Sequence, residues 1–138
     1  MAEKVTFFEP QVWEREWGQE VLVIHTSLYT GKLLLRKAGT SGNLQYHRKK
    51  NEAGYVYSGE MLVEYDTGDG KLTSVKASAG QSVHIPPGVV HRETAITDCV
   101  IFEVSTPVFN DRVRVEDRYG EKIEGGLPTT EEKDIVIG

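Results

Sequence analysis

Apolar residues along this chain come in short runs, cut by polar and glycine-bearing stretches. Val21-Leu22-Val23-Ile24 and Leu33-Leu34-Leu35 are too short for helices and are flanked by polar or glycine residues, so they read as strands. Met61-Leu62-Val63-Glu64-Tyr65 and Lys71-Leu72-Thr73-Ser74-Val75 flank Asp66-Thr67-Gly68-Asp69-Gly70, a loop able to reach positive φ, and together predict a hairpin. Val83-His84-Ile85 stops at Pro86-Pro87-Gly88, and Val100-Ile101-Phe102-Glu103-Val104 is ended by Pro107, because proline cannot continue a central ladder. Several short strands joined by turn chemistry predict an all-β sandwich or barrel. Residues 1–14 hold either a first strand or an arm. The core spans about residues 15–120. The tail 121–138, polar and glycine-rich before Ile135-Val136-Ile137, is expected to be flexible or to pair with a neighbouring chain.

Composition narrows this only a little. A chain of 138 residues is about one domain, long enough to bury a core without staples. A net charge of −5 argues against nucleic acid or an anionic membrane surface as the main partner. It leaves room for a small anionic ligand, which needs only a local cluster of Lys and Arg. The single Cys99 has no internal disulfide partner, which fits a reducing compartment. The start carries no basic segment followed by an apolar core, and no apolar run approaches the ~20 residues that span a bilayer. A cytoplasmic location is the resulting expectation.

Chemistry concentrates in two stretches. Between Gly39 and Gly59 lie Gln45, His47 and Glu52. Gln45 and His47 are two apart, so on a strand they share a face. Glu52 follows the polar run Arg48-Lys49-Lys50-Asn51, which as a hairpin would bring it back beside them. The second stretch runs from Gly80 through Pro86-Pro87-Gly88, whose turn redirects the chain just before His91. Two imidazoles, a carboxylate and an amide oxygen suit one borderline divalent ion, such as Zn²⁺, Mn²⁺, Fe²⁺, Co²⁺ or Ni²⁺. Four protein ligands leave coordination positions open if the ion takes five or six, as a Lewis-acid site requires.

These two stretches resemble the two motifs of the cupin superfamily, which implies a single-domain jelly-roll β-barrel. The family's first motif usually has His-x-His where this chain has Gln45-x-His47, and its second usually ends in Asn where this chain has Ala95. The Gln-x-His form resembles the phosphomannose isomerases. Arg15-Glu16-Trp17-Gly18, Leu44-Gln45-Tyr46-His47 and the run from Val113 to Gly120 look like the isomerase domain of the bacterial bifunctional type. The family usually follows that last Tyr-Gly with Arg; here the residue is Glu121. The resemblance implies a metal-dependent aldose–ketose isomerase acting on a sugar or sugar phosphate, with Zn²⁺ as the ion. Another metal-dependent cupin enzyme, such as a dioxygenase or epimerase, and a non-catalytic sugar-binding cupin are the alternatives.

The remaining polar residues take roles around that core reading. Glu93 shares strand parity with His91, and Glu103 stands in the last strong strand, where the resembling family has Glu. Either is a candidate base for moving a proton between C1 and C2. Lys32 and Arg36, four apart on one strand face, and Arg118 are candidates for holding the substrate's distal group. His25 and His84 read as structural. Arg48-Lys49-Lys50 reads as an exposed hairpin tip. The segment Asp111 to Arg118 reads as an edge strand or a dimer contact, and a homodimer is expected because exposed edge strands need covering.

Overall fold

The computed structural model describes residues 4–125 and 130–136. Its strands are β1 (Gln11–Arg15), β2 (Gly18–His25), β3 (Thr30–Arg36), β4 (Gln45–His47), β5 (Glu52–Ser58), β6 (Glu60–Asp66), β7 (Leu72–Ser78), β8 (Ser82–Ile85), β9 (His91–Ala95), β10 (Cys99–Ser105) and β11 (Arg112–Arg114). They form two antiparallel sheets, ordered β1-β2-β3-β10-β5-β8 and β11-β4-β9-β6-β7. The helical pieces among the described residues are two short 3₁₀ turns, Glu116–Tyr119 and Glu132–Asp134. No helix among those residues is long and apolar enough to cross a membrane.

Each apolar run of the sequence lies in one of these strands, and β6 pairs with β7 along seven consecutive residues as the hairpin pattern requires. Asp66 Oδ1 accepts from the backbone N–H groups of Gly68 and Gly70, which closes that turn. Two glycines are obligatory for the tight packing. A Cβ on Gly18, at φ 142°, would lie 1.7 Å from Leu35 O, and one on Gly59, at φ 85°, would lie 2.2 Å from Asp98 O. Both approaches are too close for any side chain, so only glycine fits.

The interior changes character along the strands. Inward positions read Glu52, Gly54, Val56 on β5 and His91, Glu93, Ala95 on β9, and in the opposite direction Cys99, Ile101, Glu103 on β10. Val56, Met61, Val63, Ala77, Ile85, Ala95, Cys99 and Ile101 therefore gather as an apolar core. Buried Glu20, Lys32, Arg36, Glu52 and His91 collect around one cavity. Burial of polar groups is costly unless each finds a partner, so this polar cluster demands its own explanation.

One expectation needs correction. Residues 48–51 are not a hairpin tip: β4 and β5 belong to different sheets, and the segment crosses between them. In the tail, residues 134 and 136 are hydrogen-bonded to Gln11 of the same chain. Gln11 Nε2 donates to Asp134 O at 3.1 Å, and Val136 N donates to Gln11 Oε1 at 2.7 Å. Ile137 lies outside the described residues.

Candidate metal centre

β4 and β9 are neighbours, with Gln45 directly opposite His91. Strand parity turns Gln45 and His47 to the same inward face, and the crossing segment delivers Glu52 to them from the other sheet. Ligand atoms of His47, Glu52 and His91 all lie within 4.8 Å of one another. His47 Nε2 is 3.6 Å and His91 Nε2 3.4 Å from Glu52 Oε1.

The outer nitrogens of both rings are committed. His91 Nδ1 is 3.0 Å from Val89 O and His47 Nδ1 is 3.1 Å from Asp111 Oδ1. A carbonyl and an ionised carboxylate can only accept, so both Nδ1 atoms carry a proton, and both Nε2 atoms face Glu52 Oε1. Gln45 Oε1 is buried and has no hydrogen-bond partner. A buried acceptor without a partner beside two imidazole nitrogens and a carboxylate is a donor set that fits a divalent ion.

Electrostatics around this cluster are strongly perturbed. Burial disfavours the charge on Glu52, but its hydrogen bond with His91 and the nearby Lys50 ammonium hold its pKa well below the usual carboxylate range. Burial lowers His47. It works the same way on His91, where the hydrogen bond to Glu52, the nearby Glu93 and Glu52 charges and the Val89 carbonyl together outweigh it and raise the pKa. Burial pushes the Glu103 carboxyl up to about 8 against the pull of Lys50, and also raises Glu93.

The cluster opens on a cavity of about 180 Å³, the space of roughly six waters. Gln45, His47, Glu52, His91, Glu93, Glu103, Lys32 and Arg36 all line it. Three of the cations lining the cavity face a carboxylate: Lys32 Nζ is 3.8 Å from Glu20, Arg36 Nη1 3.7 Å from Glu93, and Lys50 Nζ 3.1 Å from Glu52; Arg112 lines the cavity as well. Arg118 is not in this cavity. It is exposed, with its guanidinium 5.9 Å from the centre of the Tyr46 ring, and Tyr46 alternates with the inward Gln45 and His47. His25 bonds Thr30 at 3.0 Å and packs edge-on against Phe109, while His84 bonds Asn51 at 2.8 Å, so neither reaches the cluster.

Among the cavity residues outside the candidate set, Lys50, Asp111 and Thr130 shape the site. Lys50, expected at an exposed tip, turns inward between Glu52 and Glu103, while Arg48 and Lys49 stay exposed. Its position two residues before Glu52 was a usable parity signal. Asp111 orients His47, and its other oxygen accepts from the N–H groups of Lys49 and Lys50 at 2.8 and 2.9 Å, which shapes the crossing segment. Thr130, from the tail, closes part of the cavity wall. For Asp111 and Thr130 no local pattern points to the site, because tertiary structure alone brings them there. Glu121 lies elsewhere, in a two-pronged ion pair with Arg92 at 2.7 and 3.0 Å.

Residues 33–105, more than half of the chain, match the family model described as the cupin domain. No curated protein matches the chain. Among solved structures, the capsular polysaccharide assembling protein CapF from Staphylococcus aureus superposes with a TM-score of 0.70 at 20% identity. That match covers 79% of this chain and 32% of CapF, so the chain spans about a third of that relative's length. KdgF from Halomonas sp. gives a TM-score of 0.63 at 21% identity, covering 75% of this chain and 95% of that one. Oxalate decarboxylase from Lactobacillus farciminis, solved as a formate complex, gives 0.69 at 17% identity over 88% of this chain and 40% of its own. At such identities the likeness is one of fold.

Proposed function

The chain belongs to the cupin family, and from that premise we propose that it is a metal-dependent aldose–ketose isomerase acting on a small sugar, similar to the phosphomannose isomerases. The observation that carries this reading is the pairing of a four-donor cluster with the half-buried carboxyl of Glu103 in one cavity. Glu103 lines the same space as the cluster, and with its pKa pushed up to about 8 it can both take and return a proton near neutral pH.

Gln45, His47, Glu52 and His91 would hold the ion, Zn²⁺ by resemblance. Bound there, it supplies Lewis acidity toward the carbonyl oxygen and the adjacent hydroxyl of the sugar. Glu103 removes a proton from the carbon beside the carbonyl, and the resulting enediol is reprotonated at the neighbouring carbon by the same carboxyl. Glu93, held by Arg36, lies across the cavity and orients hydroxyls. Lys50 keeps Glu52 ionised and sits 3.7 Å from Glu103, where its ammonium steadies the negative charge that carboxyl carries before it takes the proton.

The cavity's cations favour an unphosphorylated sugar over a sugar phosphate. Of the four cations lining the cavity, Lys32, Arg36 and Lys50 each have a carboxylate partner, so a phosphate at any of these three would have to displace one, whereas hydroxyls can both donate to the carboxylates and accept from the cations. A proton NMR time course in deuterated water tests the whole reading. Zn²⁺- or Mn²⁺-loaded protein is mixed separately with fructose and with fructose 6-phosphate. Conversion to the aldose with deuterium at C2, abolished by Glu103→Gln, is expected and fastest for the unphosphorylated ketose. Absence of both conversion and deuterium uptake with metal bound overturns the isomerase reading. Turnover of the phosphate alone overturns only the choice of sugar.

A further inference from the structure

We infer that Thr130, Asn43 and Glu20 form a second subsite of the cavity, one that binds hydroxyl groups of the ligand, and that the tail supplies Thr130 to it. The inference rests on the sugar reading of the cavity, not on turnover there. Six buried side-chain atoms of the described residues have no hydrogen-bond partner, and four of them belong to residues that line this cavity. Native interiors satisfy nearly all their buried polar groups, so such a concentration calls for a reason. Gln45 Oε1 is accounted for by the donor cluster. Thr130 Oγ1, Asn43 Nδ2 and Glu20 Oε1 remain. A ligand that bonds to them is a reason common to all three.

The three atoms differ in what they offer. An amide nitrogen only donates, a carboxylate oxygen only accepts, and a hydroxyl does either. Glu20 is 4% exposed, with Arg15 Nη2 and Lys32 Nζ at 3.6 and 3.8 Å from Oε1. Those cations offset its charge but stand beyond hydrogen-bonding range, so the lone pairs of Oε1 stay available. A sugar hydroxyl, itself donor and acceptor, answers all three groups. A phosphate oxygen accepts only, and would bring the Glu20 carboxylate no donor.

Thr130 is 2% exposed, although most described residues of the tail are exposed. The described segments before and after it are fastened to different sheets. Before it, the Arg114 guanidinium on β11 donates to the carbonyls of Glu124 and Gly125. After it, the one side-chain amide of Gln11 on β1 donates to Asp134 O and accepts from Val136 N, as the backbone of a paired strand would. β11 is an edge strand of one sheet and β1 of the other. The tail is thus tied to both edges, with Thr130 between the two fastenings in sequence. Gln11 does not line the cavity, so it acts as a positioning residue for Thr130.

Equilibrium binding to the metal-loaded full chain decides the matter, with fructose and mannitol as probes. Mannitol carries hydroxyls but no carbonyl, so it reads recognition apart from turnover. Thr130→Val keeps the branched shape and removes the hydroxyl, whereas Thr130→Ser keeps the hydroxyl. Thr130→Val and Asn43→Ala should each bind both probes about 3- to 10-fold more weakly, the loss of one hydrogen bond. Thr130→Ser should stay close to the wild type. Gln11→Ala should weaken binding in the wild-type chain but add nothing in Thr130→Val, because it acts through that hydroxyl. Without ligand, Thr130→Val should melt no lower than the wild type, since a buried hydroxyl with no partner adds nothing to the fold. A lower melting temperature gives the hydroxyl a structural partner and overturns the inference. Wild-type affinity in Thr130→Val overturns it whatever Asn43→Ala does, and so does the absence of saturable binding of both probes. Binding of both without deuterium uptake from solvent removes isomerisation and leaves the subsite standing. Deuterium uptake by Thr130→Val at the wild-type KM removes the subsite alone.

Discussion

At the scale of single residues, the metal cluster explains one substitution and makes one new assignment. Gln45 stands where the resembling superfamily usually has His, and an amide oxygen is a weaker donor than an imidazole. Its value here is that Oε1 is buried with no other partner. Gln45→Ala should lower metal affinity while leaving His47, Glu52 and His91 able to bind, whereas His91→Ala should nearly abolish stoichiometric binding. Metal analysis after gel filtration separates the two, and unchanged content in either variant removes that residue from the ligand set. Asp111 fixes the ring of His47 and the backbone beyond it, and such outer partners are worth ~10–100-fold in metal affinity. Asp111→Ala should show a loss of that size in a competition titration with a coloured chelator. Glu103→Gln should keep full metal content and lose ~10²–10⁴-fold in turnover, the usual contribution of one general base.

At the scale of elements, the turn Glu116–Tyr119 is pinned to the outer face of the β6–β9 sheet by two contacts. Arg92 meets Glu64 at 3.1 Å and Glu121 at 2.7 Å, and the Tyr119 hydroxyl donates to Asp66 Oδ2. Glu121→Arg would restore the family residue but set it against Arg92. An exposed pair of this kind is worth up to ~1 kcal/mol, so a loss of that order in urea unfolding is expected. The Tyr119–Asp66 contact has a pH signature. Burial and the hydrogen bond to Asp66 push Tyr119 up to about 12, and the same bond lowers Asp66. The stabilisation from Tyr119 is therefore complete below the ordinary tyrosine pKa of ~10 and fades as pH rises toward its folded value. That from Asp66 is present above the ordinary aspartate range and fades as pH falls through the lowered value. Phenolate absorbance should reveal one tyrosine titrating near 12 that is missing from Tyr119→Phe. These contacts also mark where sequence reading ended. Runs such as Val100–Val104 announce strands because their composition alone excludes a helix of that length, and Gln45-x-His47 announces a shared face because strand parity is local. The crossing of residues 48–51 between sheets depends on which strands pair, and Asp111 reaches His47 across 64 positions of sequence, so neither leaves a local trace. Lys50 is the intermediate case, since its spacing from Glu52 carries the parity but its charge suggested a solvated tip.

At the scale of the whole molecule, the cluster sits on the seam between the two sheets. Gln45, His47 and His91 come from β4 and β9 of one sheet, whereas Glu52 comes from β5 of the other. An ion held by all four would tie the two sheets together at the cavity, beyond what the apolar core contributes. Metal binding should accordingly raise the stability of the fold, by ~2.7 kcal/mol when free metal is at a hundred times its Kd. The topology makes a sharper statement than this linkage alone. Glu52→Ala removes the single ligand from its sheet, so any ion still bound by the other three no longer bridges the seam. His91→Ala removes a stronger ligand but leaves His47 and Glu52 on opposite sides. Thermal unfolding with Zn²⁺ and with a chelator, at metal concentrations saturating each variant, should show the metal-dependent gain surviving in part in His91→Ala and being smallest in Glu52→Ala. If the wild-type melting temperature is the same with Zn²⁺ and with chelator, these four residues do not form a metal site. If Glu52→Ala keeps the full gain, the ion does not act as a bridge between sheets, and the polar cluster must be held together by its ion pairs alone.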